Sequence, residues 1–163
     1  MQRKKKLILC IIIFLLVIVS LHFLINFWSK TEIGSRFIFA SDYKQMEKVA
    51  NDLCALDDDS VYILKPFGQI VTGPREFKDI KDFKIKFFVF LLFAKGYDAI
   101  DKNNQTVYFQ RWYDGFERYR GYAFSCDGSG ELMIDYLVDQ KEMSQANWYL
   151  YYEDYNKWRA INR

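Results

Sequence analysis

The chain is predicted to be an α+β protein: an N-terminal transmembrane helix, then one small domain with two helices packed on an antiparallel sheet of about five strands. Three observations lead there. A charge-free apolar run fills residues 7–28, two later segments repeat apolar residues at the helical period, and the sequence after Gly96 breaks into short aromatic-rich stretches separated by turns.

The apolar run governs the topology. Arg3, Lys4, Lys5 and Lys6 precede a stretch from Leu7 to Trp28 whose only polar members are Ser20, His22 and Asn26. At about 1.5 Å per residue this helix reaches roughly 33 Å, enough for a hydrocarbon core of about 30 Å. Asn26, Phe27 and Trp28 close the run and no small-residue cleavage site follows, so an uncleaved anchor is expected rather than a signal peptide. Large apolar residues precede Cys10, which is therefore no lipidation site. Trp28 stands where an interfacial aromatic belongs, and His22 lies near enough to that interface to be hydrated. Without a GxxxG pattern the helix reads as a tether. The basic side stays inside, which predicts residues 1–6 as a cytoplasmic tail, 7–28 as the single span of the plasma membrane, 29–40 as a linker and 41–163 as a periplasmic or extracellular domain.

Within that domain, Ser41 reads as the N-cap of an amphipathic helix over 44–56, with Met46, Val49, Ala50, Leu53 and Cys54 on one face. The acidic turn Asp57, Asp58, Asp59 ends it. Residues 60–65 form a strand, with a second short one in 69–74, and the stretch from Arg75 is a second helix stopped by Gly96. Its run from Phe87 to Ala94 is too short to cross a membrane and is expected to be core. Strands follow at 97–101 and 106–113. Residues 118–125 and 131–139 are expected to form a hairpin around the turn Cys126 to Gly130, with Leu132, Ile134, Tyr136 and Val138 on one face of the second strand. Residues 148–158 satisfy both periods; a strand at 148–152 and then a short helical end is the expectation.

Composition narrows the chemistry. The whole chain carries a formal net charge of +2, and setting aside the four basic residues of the tail leaves −2 for the rest, which gives no electrostatic reason to bind nucleic acid or anionic lipid. His22 is the only histidine and lies in the anchor, so the domain lacks the base of a Ser–His or Cys–His pair and the commonest transition-metal ligand. Glu131 and Asp135 would stand about 13 Å apart along one strand, beyond the reach of a glycosidase pair. The run Asp57 to Asp59 lacks the alternating ligands of a calcium loop. No catalytic group, metal or cofactor is predicted. Asn104 to Thr106 forms an N-glycosylation sequon, relevant only in a eukaryotic secretory pathway.

Two cysteines in a small domain outside the cytoplasm are expected to pair, so Cys54 and Cys126 are predicted to form a disulfide, with free buried thiols as the alternative. The residues with most functional promise are Arg111, Trp112, Tyr113, Arg118, Tyr119, Arg120, Tyr122, Trp148, Tyr149 and Tyr151, followed by Tyr152. These types dominate protein interfaces, yet they would equally cover the two faces of a small sheet. The function expected is a non-catalytic, membrane-anchored module that binds a protein partner, one version being a bacterial immunity protein that neutralises an envelope-acting toxin. The alternative is an envelope enzyme or carbohydrate-binding domain that stacks rings on sugars and uses paired carboxylates.

Overall fold

A computed structural model describes residues 2–56, 60–64, 69–72, 76–78, 83–113, 118–132, 134 and 136–162. The chain forms two compact units, Met1–Ala40 and Ser41–Arg163.

The first unit is helical. α1 (Gln2–Ser29) contains the one described helix long and apolar enough to cross a membrane, and from residue 10 to Phe27 its side chains are exposed. It ends where Ser29 and Thr31 turn their hydroxyls back onto the carbonyls of Asn26 and Trp28, at 2.7 Å each. Thr31 then caps α2 (Glu32–Cys54) by accepting the Gly34 N–H at 3.1 Å. This corrects the expected N-cap. Residues 32–40 are helical because Thr31 supplies the cap, and Ser41 lies inside the helix, its hydroxyl donating to Asp42 Oδ1.

The second unit is an antiparallel sheet with flanking helices, as the predicted fold class requires. Its strands are β1 (Ser60–Leu64), β2 (Gln69–Thr72), β3 (Glu76–Lys78), β4 (Ala99–Asn103), β5 (Thr106–Tyr113), β6 (Arg118–Ser125), β7 (Leu137–Glu142) and β8 (Trp148–Asp154). Two further helices, α3 (Phe83–Ala94) and α4 (Tyr155–Ile161), follow β3 and β8. The strands form one sheet ordered β3-β2-β1-β4-β5-β6-β8-β7.

Several boundaries move for identifiable reasons. The second helix starts at Phe83, not Arg75, because residues 76–78 pair with Ile70–Thr72 and extend the sheet. Residues 118–125 and 131–139 do not make a hairpin. β8 lies between β6 and β7, pairing Tyr122 with Leu150 on one side and Leu150 with Lys141 on the other. Tyr136 has φ of +67°, which takes the chain out of extended geometry, so β7 begins only at Leu137. Residues 148–158 resolve as expected into strand and then helix. Asp57, Asp58 and Asp59 lie outside the described residues.

Both faces of the sheet are covered. On one, Phe109, Tyr122 and Trp148 meet α2 through the Tyr97 ring and the edge-on contact of Tyr43 with Trp148, and Met46, Val49, Ala50 and Leu53 are fully buried, as their spacing predicts. On the other, Tyr108, Ala123, Tyr149 and Tyr151 are closed over by Leu132 and Ile134 from the connection between β6 and β7 and by Leu137 at the start of β7. Gly121 allows the local geometry beside the irregularity at Gln110 and Trp112, since a β-carbon there would sit 2.1 Å from the Phe109 carbonyl oxygen. A disulfide joins Cys54, the last residue of α2, to Cys126, just past β6, across 72 positions with a Cα–Cα distance of 5.7 Å. Next to it Lys102, buried along its stem, donates to the Leu56 carbonyl at 2.6 Å. α3 departs from the expected core helix: Val89, Leu92 and Phe93 are buried, whereas Phe87 and Phe90 are 49% and 66% exposed.

Candidate functional site

The interface candidates separate by strand parity and by depth. Trp112, Tyr122, Trp148, Tyr149 and Tyr151 are buried in the sheet's two covered faces. They build the core and present no recognition surface. Tyr113 belongs to β5, but its side chain lies outside the described residues. Arg111, Arg118, Tyr119 and Arg120 retain solvent contact to different degrees, and the arginines divide between two clusters.

The first cluster is closed. Asp42 projects from α2 and is buried; its Oδ1 accepts from Lys95 Nζ at 2.8 Å, while Oδ2 accepts from the Tyr97 hydroxyl at 3.0 Å and Arg111 Nη1 at 3.3 Å. Lys95, just past the end of α3, also donates to Gln45 Oε1 at 2.6 Å. The Arg111 guanidinium lies over the Tyr97 ring, 4.8 Å from its centroid. Burial, and then the neighbouring Asp42 carboxylate, push the Tyr97 phenol well above its ordinary range, so it stays a donor. A carboxylate with this many donors is satisfied, and the cluster fastens α2, the end of α3 and β5 to one another.

The second cluster is open. Arg118 and Arg120 alternate along β6 on the same sheet face as Tyr122, and their cross-strand partners are Asp154 and Tyr152 of β8. The Arg120 guanidinium sits 5.3 Å from the Tyr152 ring centroid and the Lys157 ammonium 5.5 Å from it, so one ring is flanked by two cations. Arg118 reaches Asp154 at 3.4 Å with nearly half of its side chain in solvent. Asp154 organises the corner: its Oδ2 accepts the Tyr152 hydroxyl at 2.9 Å and its Oδ1 caps α4 through the Lys157 N–H at 3.0 Å. That N–H first, then Tyr152 and Arg118, hold the Asp154 carboxyl below the usual carboxylate range, while burial and the bond to Asp154 raise the Tyr152 phenol. α4 adds Arg159 and a ring cluster in which Tyr136 meets Tyr155 edge-on at 4.8 Å and Trp158 edge-on at 5.3 Å. No residue of α4 is buried.

Three cations, Arg118, Arg120 and Lys157, thus gather around the Tyr152 ring and the buried Asp154 carboxylate, with Asp139 of β7 opposite Tyr152 on the other side. Such a surface is suited to docking an acidic, partly apolar group. Lys157, Arg159 and Asp154 escaped sequence reasoning, although the alternation Arg118-Tyr119-Arg120 already separated the two arginines from Tyr119. Glu131 is exposed, Asp135 lies outside the described residues, and no three His, Cys, Asp or Glu side chains converge as metal ligands among the described residues. Compared with known proteins, the chain matches no family model, no curated protein and no solved structure.

Proposed function

We propose that this protein is a membrane-tethered, non-catalytic binding module whose domain docks a protein partner with an acidic surface. The observation that carries the reading is the open cluster: Arg120 from β6 and Lys157 from α4 both lie over the Tyr152 ring. Because Arg118 and Arg120 stand on a sheet and Lys157 on a capped helix, no backbone segment has to be ordered on binding. In this reading α1 spans the plasma membrane with its basic end in the cytoplasm, and the domain works outside, where a Cys54–Cys126 disulfide persists. An immunity protein that captures an envelope-acting toxin is the specific form we put forward.

The experiment is in-cell crosslinking of the full-length chain, comparing the unaltered protein with Arg120→Glu/Lys157→Glu. A partner crosslinked by the former and lost with the latter supports the reading; equal crosslinking by both refutes the assignment to this patch. Alkaline phosphatase fused at the C-terminus should be active, since that enzyme requires an oxidising compartment, and an inactive, stable fusion would place the domain inside. For the immunity form, cells expressing the chain should survive a toxin that kills cells carrying the double variant.

A further inference from the structure

α3 leaves a stripe uncovered. Phe87, Phe90 and Ala94 follow one another at helical spacing and all are exposed, with Phe88 and Leu91 half-buried at the edge, while Val89, Leu92 and Phe93 face inward. Exposed phenylalanines one turn apart on a folded domain mark a surface that something else covers. The charges say what. Between Phe83 and Tyr97 there is no acidic residue, so this face is basic in a chain whose net charge beyond the tail is −2; of its lysines, Lys95 is tied to Asp42 and Lys86 is exposed beside the stripe. A second copy of the chain seated there would bring Lys86 against its own counterpart across a two-fold contact. An anionic lipid surface offers the reverse: a phosphate for the Lys86 ammonium and acyl chains for the rings, the pattern of a helix lying in the plane of an interface. Connectivity favours the same occupant. Twelve positions separate the end of α1 from Ser41, so a bilayer spanned by α1 stays within reach of the domain at high effective concentration, and weak insertion suffices.

We propose that α3 rests on the bilayer in which its own chain is anchored, with Phe87 and Phe90 among the acyl chains and Lys86 at anionic headgroups. This rests on α1 being inserted, and the test reads the two separately. The full-length chain is placed in nanodiscs containing phosphatidylglycerol and spin-labelled at one of two sites: Cys10, the free cysteine of α1, or Ala94→Cys in a Cys10→Ser background. Accessibility to oxygen, which partitions into lipid, is compared with accessibility to a nickel chelate, which stays in water. The expected result is oxygen preference at both sites, with loss of that preference at position 94 alone in Phe87→Ser/Phe90→Ser and a weaker preference in phosphatidylcholine. A nickel-accessible label at 94 beside an oxygen-preferring label at Cys10 overturns the proposal and leaves the anchor standing. Nickel access at both sites removes the anchor and the proposal together. Dipolar broadening between labels at 94 on separate chains overturns it in favour of a second copy.

Discussion

Arg111 and Arg120 occupy neighbouring strands, Arg120 paired with the residue that follows Arg111 in the chain, and each lies over a tyrosine ring. Their surroundings make them opposites. Arg111 meets a buried carboxylate that already holds Lys95 and Tyr97, so its charge is used within the domain; Arg120 meets a ring that a second cation also faces. The same pairing of arginine with a tyrosine ring thus fastens three elements together at Arg111 and sits at the corner of the sheet and α4 at Arg120.

The closed cluster grips α2 near Asp42, and the disulfide grips the same helix at Cys54. Breaking the second grip gives the largest expected effect: Cys54→Ser/Cys126→Ser should lose about 4 kcal/mol in the chain-entropy picture of a loop this long, measured by urea unfolding of the detergent-solubilised chain. Asp42→Ala comes next, at about 3 kcal/mol, because it strands the largely buried Arg111 and the Tyr97 hydroxyl, while Lys95 can turn to water. If Asp42→Ala cost no more than a surface substitution, the distinction between the clusters would fail.

A half-buried carboxylate on β4 sharpens the contrast. Asp101 has its carboxyl raised to about 6 by burial, so the folded state holds its proton more tightly than the unfolded chain does. Stability from this group is fully present below about pH 4, where both states are protonated, and is lost as pH rises through about 6. Asp101→Asn should therefore stabilise the protein at pH 7 by on the order of 2 kcal/mol and leave it unchanged near pH 4, as thermal melts at the two pH values will show. The smallest effect is expected in the open cluster. Arg120→Ala should change stability by less than about 1 kcal/mol while weakening partner crosslinking, whereas Arg111→Ala should do the reverse.

Much of this architecture was legible because it depends on short-range patterns. The apolar run announces α1, the spacing Met46-Val49-Ala50-Leu53 announces the buried face of α2, and a cysteine pair in one domain announces its crosslink. What escaped depends on partners distant in sequence. Nothing local to residues 131–139 says that Tyr136 turns to positive φ or that β8 enters beside β6. The candidate surface was half legible for a similar reason. Alternation places Trp148 and Leu150 on one face and Tyr149 and Tyr151 on the other, but with both faces covered it cannot tell core from surface. Asp42 looks like any polar residue on an amphipathic helix until Arg111 arrives from β5.

The position of β8 bears on how the sheet is made. The strand that zips β6 to β7 is the last of the eight in chain order, so a chain delivered N-terminus first carries β6 with a bare, tyrosine-rich edge until its final strand arrives. Such a chain is most prone to self-association in that interval, and its yield should respond to chaperone supply more than its folded stability would suggest.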